Sequence, residues 1–306
     1  MLTSNDIPLA ASPIDRAAHH RTDTAWLEAA YKRDDVLIFL MKEGLPLVDI
    51  RGDGLIWLGP EVARLGATAQ TVFLGLDKAG APVFGAEMPD TFQLQGSLLE
   101  GAGSFEDMRL ALGKLPAMQS NLAATARSLF EWHRNHQFCA QCGSQTEVAE
   151  AGWKRVCPNC GAQHFPRTDP VAIMLAVKDD QCLLGRQAGW PADFWSCLAG
   201  FVEPGESIEQ AASRELLEEA GIRADPASAE YLFCQPWPFP SSLMIGIILQ
   251  AENMDYQVEQ DELEAARWVT RAEARDILAG KHPDIRAPFP FAVASHILQE
   301  WAGRDH

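Results

Sequence analysis

The sequence predicts a chain of the α+β class whose C-terminal part forms an α/β/α sandwich around a mixed sheet. Three observations lead to this prediction. Short apolar runs recur in both halves of the chain, and in the C-terminal half they alternate with helical patterns. Two cysteine pairs separate the halves and indicate a small module between them. The length of 306 residues agrees with about two domains.

The predicted boundaries follow changes in composition. Residues 1–25 are polar and without a sustained period, so we expect a flexible or loosely docked tail. Residues 26–136 form an N-terminal α+β domain and residues 137–167 the cysteine-rich module. Residues 168–306 form the C-terminal domain.

Apolar runs broken by Gly and Pro predict antiparallel strands in the N-terminal domain. They comprise residues 36–40, 46–50, 55–58, 71–76 and 82–85. Helices are expected at residues 105–112 and, with clear amphipathic spacing, at residues 119–136. His133 and His136 belong to the end of the second helix, so we expect them to be helix-end residues and not metal ligands.

The C-terminal domain opens with a predicted hairpin of residues 171–178 and 181–187. Further strands and helices follow the stretch around residue 200. The strands are expected at residues 229–237, 242–251 and 266–269, and the helices at residues 271–279 and 291–301.

Composition excludes several classes of protein. The chain is 47% hydrophobic and 22% charged, which is ordinary for a globular protein. Its formal net charge of −17 argues against binding nucleic acid by backbone attraction alone. The first residues lack the basic start and apolar run of a secretory signal, and no run approaches the ~20 apolar residues of a membrane helix. We therefore expect a cytoplasmic protein that does not enter a membrane.

The cysteine-rich module predicts a structural zinc site. Two C-x-x-C pairs lie fourteen residues apart, at the spacing of a zinc ribbon, and they consist of Cys139, Cys142, Cys157 and Cys160. Gly143 and Gly161 each follow the second cysteine of a pair, where a tight turn favours glycine. Four thiolates leave zinc no open position, so the expected role is structural and not catalytic.

An acidic helix predicts a second metal site. Ser207 is a plausible N-cap and Gly221 a C-terminal stop. Between them Glu215, Glu218 and Glu219 fall at i, i+3 and i+4, so their carboxylates share one face. An acidic surface helix is the simpler interpretation of such a cluster. Because only Arg214 is nearby to offset the repulsion, Mg2+ or Mn2+ is the alternative source of positive charge.

Residues 234–242 suggest a binding site for a flat ring. Three prolines in five residues stiffen the segment and present Trp237 and Phe239. Gln235, Ser241 and Ser242 offer hydrogen bonds beside these rings, as a nucleobase or nicotinamide would require. A proline-rich turn whose aromatic residues pack in the core is equally compatible with the residue types.

Two motifs resemble those of one known family. Gly200, five residues, Glu206, seven residues and then Arg214-Glu-Leu-x-Glu-Glu-x-Gly-Ile resembles the Nudix box at every defined position. Residues 234–242 resemble the S-Q-P-W-P-F-P-x-S signature of the NADH pyrophosphatase branch of the Nudix superfamily, with Cys234 in place of the first serine. The resemblance extends from Trp26 to the end. It implies a C-terminal Nudix α/β/α sandwich with a mixed sheet, a zinc ribbon and an N-terminal Nudix-like α+β domain.

The resemblance also implies an activity. Members of this branch hydrolyse the pyrophosphate bond of NADH or NAD+, giving nicotinamide mononucleotide and AMP, and relatives remove the NAD cap from the 5′ end of RNA. They use Mg2+ or Mn2+ for catalysis, carry structural Zn2+ and act as homodimers.

Carried over to this sequence, the resemblance assigns the catalytic residues. Glu215 and Glu219 should be metal ligands, with Glu218 sharing metal binding or acting as the base. The carbonyl of Ala199 should add an oxygen ligand, and Arg214 should orient the carboxylates.

Two further glutamates complete the assignment. Glu206 is expected to brace the loop. The family has a carboxylate six residues before a Trp, which here is Glu262 before Trp268; Glu259, Asp261 and Glu264 are neighbouring alternatives.

The resemblance assigns the dinucleotide site as well. Its residues are expected to be Phe201, Gln235, Pro236, Trp237, Pro238, Phe239, Pro240, Ser241 and Ser242. Phe165 occupies a position where relatives place an aromatic residue from the partner subunit. Arg109 matches a substrate-contacting arginine, and Ala294 a backbone contact.

Two other functions compete with NAD(H) hydrolysis. The chain could be a Nudix hydrolase of another nucleoside diphosphate such as ADP-ribose, although the proline-aromatic signature argues against this. It could also be a non-catalytic zinc-ribbon protein that binds RNA or a partner, although the intact carboxylate set argues against that function.

Overall fold

A computed structural model of the protein describes residues 3, 6–10, 14–65 and 70–304, without the side chains of residues 63 and 64. The chain divides into two compact units. The N-terminal unit comprises Ala11–Arg167 and Pro238–Ser241, and the C-terminal unit comprises Met1–Ala10, Thr168–Trp237 and Ser242–His306. Among the described residues, no helix combines the length and the apolar character that crossing a membrane requires.

The N-terminal unit contains a five-stranded sheet in the order β3-β4-β1-β2-β5. Its strands are β1 (Leu37–Lys42), β2 (Leu45–Asp49), β3 (Gln70–Leu76), β4 (Pro82–Glu87) and β5 (Gly103–Phe105). The prediction that these strands are all antiparallel is wrong, because β1 and β4 pair in parallel. Apolar runs identify strands but carry no information on their direction. Residues 55–58, predicted as a strand, make only isolated bridges, between Leu55 and Val48 and between Leu58 and Ile38.

Three α-helices are described in this unit, namely α1 (Thr24–Tyr31), α2 (Met108–Leu112) and α3 (Ala117–Asn135). Helix α2 begins later than predicted, because Phe105 belongs to β5 and the Asp107 carboxylate caps the helix by accepting hydrogen bonds from two backbone N–H groups. Helix α3 covers the predicted amphipathic segment and buries Leu122, Ala126 and Phe130.

The cysteine-rich module carries a small sheet of β6 (Glu147–Ala149), β7 (Lys154–Val156) and β8 (Gln163–His164). His133 at the end of α3 connects the helix to this module. Its Nε2 lies 2.8 Å from the Gly152 carbonyl oxygen, and its Nδ1 lies 3.1 Å from Nη1 of Arg155. Because a carbonyl can only accept and a guanidinium can only donate, the imidazole is neutral with its proton on Nε2.

The C-terminal unit contains a sheet in the order β12-β13-β9-β10-β14, with β11 paired to β9. The strands are β9 (Asp169–Lys178), β10 (Gln181–Arg186), β11 (Leu198–Phe201), β12 (Glu230–Trp237), β13 (Ser242–Gln250) and β14 (Ala265–Thr270). The predicted hairpin of β9 and β10 is present. The sheet is mixed, as expected, because β13 runs parallel to β9 and antiparallel to β12.

Helices cover both faces of this sheet. Helix α4 (Ile208–Ala220) packs on one face, and α5 (Arg271–Leu278) and α6 (Val293–Gly303) on the other. Strand β9 is continuously apolar because both of its faces are buried. Met174 faces the cluster that contains α4, and its neighbours Ile173 and Leu175 face the cluster that contains α5 and α6. The predicted α/β/α sandwich is confirmed.

Residues 6–10 differ from the loose tail expected for residues 1–25, of which residues 1, 2, 4, 5 and 11–13 lie outside the described residues. Ile7 and Leu9 are 0% exposed, and Ile7 packs in the core cluster that also contains Phe233 and Ile297. Leu9 has a positive φ of 70°, a conformation that a side chain holds only where its surroundings enforce it. Ile7 therefore belongs to the hydrophobic core of the C-terminal unit, and Ala10 packs against that core.

Candidate active site

Helix α4 positions the acidic cluster and has well-defined ends. The Ser207 side chain accepts a hydrogen bond from the Gln210 backbone N–H, and the Gln210 side chain accepts one from Ser207 N–H, which completes a capping box. Gly221 has φ 66° and ends the helix in the left-handed region. Both predicted ends are present, so the three glutamates keep the helical spacing that places them side by side.

Arg214 connects the loop before α4 to the carboxylates on the helix. Its Nε and Nη2 donate to the two oxygens of Glu206 at 2.6 and 3.0 Å, and Nη2 also donates to the Phe201 carbonyl at 3.0 Å. Nη1 donates to Glu215 at 2.9 Å and to Glu218 at 2.8 Å. These bonds, the one to Glu206 first, raise the pKa of Arg214 above its usual range. Arg214 thus stays charged and orients the carboxylates.

Gly200 allows the Glu215 carboxylate to lie directly over the backbone. A Cβ atom on Gly200 would lie 1.8 Å from Cδ of Glu215 and 2.1 Å from its Oε1. Any other residue would displace this carboxylate. Glycine is therefore needed at position 200 because the Glu215 carboxylate occupies the space of a Cβ atom. Its backbone conformation is not strained.

Three carboxylates meet beside Gly200. Oxygen atoms of Glu215, Glu219 and Glu262 lie within 4.8 Å of one another. Glu219 is 7% exposed, and burial, followed by the charges of Glu215 and Glu262, raises its pKa to about 8. Burial also raises the pKa of Glu215. These three carboxylates, of which Glu262 is exposed, repel one another and form a donor set suited to a hard divalent cation, which would offset the repulsion.

The three carboxylates line a cavity of about 530 Å³ in the C-terminal unit. Ala199 and Phe201 line the same cavity, and the Phe201 side chain is 58% exposed. The structure thus brings together four of the five predicted divalent-metal residues. The fifth, Glu218, is exposed, lies outside the residues that line the cavity and hydrogen bonds with Arg214.

The structure distinguishes Glu262 from the neighbouring alternatives. Leu263 is 4% exposed and anchors this segment in the core beside α4. Asp261 and Glu264 also line the cavity, but Glu264 pairs with Arg186 at 2.6 Å. Of the candidates weighed from the sequence, Glu262 is the one whose oxygen joins the cluster of Glu215 and Glu219.

The four predicted zinc ligands also converge. The Sγ atoms of Cys139 and Cys160 are 3.6 Å apart, and those of Cys142 and Cys157 are 3.5 Å apart. Thiolates at about 2.3 Å from a tetrahedral zinc ion would be separated by about 3.8 Å. Gly143 and Gly161, expected at tight turns, both have φ 74°. These four side chains fit zinc and leave it no open position.

Gln235 departs from its predicted role as a dinucleotide contact. The residue is 0% exposed, and its Nε2 donates to the carbonyls of Pro8 at 2.7 Å and Phe291 at 2.8 Å. Its Oε1 accepts from the Val293 N–H at 2.8 Å. Both donors are used and no surface is available, so Gln235 is not placed to bind a ligand. Gln235 matches the signature, but its residue type alone does not show whether the amide holds the fold together or binds a ligand.

The two aromatic residues of the proline-aromatic segment (residues 234–242) have different neighbours. In the C-terminal unit, Trp237 stacks on Phe291 with ring centroids 6.2 Å apart. In the N-terminal unit, the Arg109 guanidinium carbon lies 4.1 Å from the centroid of the Phe239 ring. The structure therefore brings together Arg109 and Phe239, two of the predicted substrate contacts.

Arg127 also contacts this segment, which the sequence did not indicate. Its guanidinium carbon lies 5.3 Å from the Phe239 centroid, and its Nε donates to the Pro238 carbonyl at 2.9 Å. Ser128 Oγ donates to the Pro240 carbonyl at 3.2 Å. The sequence signal available was a basic residue within the amphipathic helix α3, which is too common to identify a site.

The remaining predicted contacts differ in exposure. Phe165 is 62% exposed, Pro236 is exposed, and Ser241 and Ser242 are each 8% exposed. Ala294 is 3% exposed in α6, and its carbonyl accepts a weak hydrogen bond from the Cys197 thiol at 3.8 Å. Within the C-terminal unit, Pro236, Ser242 and Ala294 are not among the residues that line the carboxylate cavity.

Family models match the chain in three consecutive stretches. Residues 166–290 match the NUDIX domain, residues 134–165 the NADH pyrophosphatase zinc ribbon domain, and residues 36–132 the NADH pyrophosphatase-like rudimentary NUDIX domain. Together with the sandwich and its carboxylate cavity, these matches define a Nudix hydrolase with an attached zinc ribbon.

Relatives identify the branch. NAD-capped RNA hydrolase NUDT12 of Homo sapiens is 33% identical over 94% of this chain and 71% of its own length. The protein of the same name from Macaca fascicularis is 42% identical over 62% of this chain, which spans 43% of that protein. NAD(P)H pyrophosphatase NUDT13, mitochondrial, of Homo sapiens is 39% identical over 66% of this chain and 60% of its own length. The chain belongs to the NADH pyrophosphatase branch of the Nudix hydrolase superfamily.

Proposed function

We propose that this protein hydrolyses the pyrophosphate bond of NADH and NAD+, giving nicotinamide mononucleotide and AMP. The observation that carries the proposal is the convergence of Glu215, Glu219 and Glu262 in one cavity with the exposed ring of Phe201. The names of the relatives, an NAD-capped RNA hydrolase and an NAD(P)H pyrophosphatase, support the same substrate class.

Each part of the site has a role in this reaction. Glu215, Glu219, Glu262 and the Ala199 carbonyl would hold Mg2+ or Mn2+, which when bound neutralises the diphosphate and makes a water more acidic. Arg214 fixes Glu215 and Glu218 through its Nη1 atom. The water oxygen bonds to phosphorus while the bridging P–O bond breaks, so that one mononucleotide leaves with the bridging oxygen and the water proton passes to a carboxylate of the cavity.

The strand pairing between Phe201 and Gln235 supports a dinucleotide as the substrate. Phe201 pairs with Val171, Val171 with Met244, and Met244 with Gln235, so these residues lie in one line across four strands. Three strand spacings amount to about 14 Å. Trp237, two residues beyond Gln235, lies at the same end of the sheet. A ligand with two rings joined through riboses and a diphosphate can span this separation.

An NAD cap on RNA presents the same diphosphate, so we extend the proposal to removal of the NAD cap from RNA 5′ ends. The net charge of −17 indicates that recognition of the cap, and not long-range attraction of the phosphate backbone, would supply the affinity. We also propose a homodimer. The aromatic ring of Phe165 is 62% exposed, as expected of a residue that a second subunit covers.

A matched pair of variants tests the proposal. Glu219→Gln removes a charge from the carboxylate cluster, and Glu209→Gln makes the same change at an exposed position of α4 outside the cavity. We expect Glu219→Gln to lower kcat for NADH by about 100-fold or more, because a metal ligand is lost. Glu209→Gln should remain within about threefold of wild type. Equal activity of Glu219→Gln and wild type would exclude the proposed metal site.

A further inference from the structure

The fully bonded amide of Gln235 has a role that the family signature does not reveal. Its Nε2 can donate two hydrogen bonds, and both go to backbone carbonyls, those of Pro8 and Phe291. Its Oε1 accepts from Val293 N–H. The partners fix the orientation of the amide, since carbonyls need the NH2 group and an N–H needs the oxygen. One side chain therefore joins β12, the start of α6 and residues 6–10.

One of the residues joined in this way, Phe291, contacts Trp237. Phe291, whose carbonyl accepts from Gln235, stacks its ring on Trp237 at 6.2 Å with an interplanar angle of 21°. Phe291 in turn stacks on Phe289 at 5.4 Å and 10°. The position of the Phe291 backbone thus determines whether Trp237 is supported by a row of rings.

Residues 6–10 are held at this place by two independent contacts. The Pro8 carbonyl binds Gln235, and Ile7 is 0% exposed in the core cluster that contains Val293 and Ala294 of α6. Losing these contacts would leave a buried Gln235 donor without an acceptor and an unfilled space beside α6, both of which are costly.

We propose that Gln235 is a positioning residue, which fastens residues 6–10 and the start of α6 onto β12 and thereby holds Phe291 against Trp237. This inference rests on the proposed function, in that Trp237 contacts the dinucleotide. Residues 6–10 then contribute to substrate binding, although none of them lines the carboxylate cavity.

Hydrogen–deuterium exchange and steady-state kinetics of full-length variants test this proposal. Gln235→Glu keeps the oxygen that accepts from Val293 but faces the two carbonyls with a second oxygen. Ile7→Ala removes the apolar anchor and leaves Gln235 intact. Gln250→Glu, an exposed position on the neighbouring strand β13, introduces the same charge as a control.

We expect Gln235→Glu to speed exchange of residues 6–10 by about tenfold or more. The KM for NADH should rise by about tenfold while kcat stays within about threefold. Ile7→Ala should produce the same two changes with smaller size, and Gln250→Glu neither of them.

Two results would overturn the proposal. A raised KM in Gln235→Glu with unchanged exchange of residues 6–10 would mean that Gln235 contacts the substrate directly. Faster exchange in Ile7→Ala with an unchanged KM would mean that residues 6–10 do not affect the position of Trp237. If wild-type protein hydrolyses no dinucleotide, the proposed function fails, and the exchange comparison still reports whether Gln235 fastens residues 6–10.

Discussion

The carboxylate of Glu215 lies against the backbone of Gly200, so closely that a Cβ atom on the glycine would stand 1.8 Å from Cδ of the acid. Gly200 sits on β11, which pairs with the central strand β9, and Glu215 sits on α4, which packs against that same sheet. Strand and helix are each rigid, so this contact determines where the acid stands relative to Glu219 and Glu262.

Gly200→Ala should therefore damage catalysis more than folding. The methyl group would push the Glu215 carboxylate away, and displacements of about 1 Å at a reacting centre can cost about 100-fold in rate. We expect a fall in kcat of that order with a circular dichroism spectrum like that of wild type. Gly303→Ala, where a Cβ would have no neighbour within 4 Å, is the control and should stay fully active. An active Gly200→Ala enzyme would show that the position of Glu215 is not critical.

Loss of one zinc ligand should affect stability and not the reaction itself. Cys142→Ser removes one of four converging thiolates, and the three that remain bind zinc less tightly. We expect the zinc content measured by mass spectrometry to fall from about one ion per chain. The temperature of the first thermal unfolding transition should also fall. Cys234→Ser, outside the cluster, should retain zinc. Unchanged zinc content in Cys142→Ser would argue against the four-thiolate site.

Acid should destabilise the protein through His133. Burial lowers the pKa of His133 to about 4, from an ordinary value near 6.5 in the unfolded chain. Between these values the unfolded state binds a proton that the folded state excludes, so stability is present above pH 6.5 and is lost as the pH falls towards 4. Protonation would also break the hydrogen bond from Arg155.

The variant His133→Gln isolates this effect. Gln can donate to the Gly152 carbonyl and accept from Arg155, but it does not titrate. Between pH 7 and pH 4.5, wild type should lose roughly 1–3 kcal/mol of unfolding free energy more than the variant, measured by urea denaturation. Equal losses in the two proteins would mean that His133 does not contribute.

Site residues that lie close together along the chain could be predicted from the sequence. Glu215, Glu218 and Glu219 follow from helical periodicity and the four cysteines from two paired motifs, and the resemblance selected Glu262 from several nearby acids. The sandwich itself followed from alternating strand and helix patterns. The signals here are local, and each residue type is restricted by its chemistry.

Contacts between distant parts of the chain were not predictable. The parallel pairing of β1 with β4 depends on chain direction, which apolar runs do not encode. The burial of Ile7 depends on a groove beside α6 that is 286 or more residues away in sequence, since Ile7 packs with Val293. The role of Gln235 depends on acceptors at Pro8 and Phe291, and nothing in a single motif reveals where its amide points.

The most direct measurement of the central claim is hydrolysis of NADH, NAD+, ADP-ribose and NAD-capped RNA at equal concentration, with and without Mg2+ or Mn2+. We predict that NADH and NAD+ yield AMP and the nicotinamide mononucleotide only with the metal, with kcat/KM at least about tenfold above that for ADP-ribose. NAD-capped RNA should release its cap under the same conditions. Hydrolysis of ADP-ribose as fast as that of NADH and NAD+, or no hydrolysis of any dinucleotide with metal present, would contradict the proposed function.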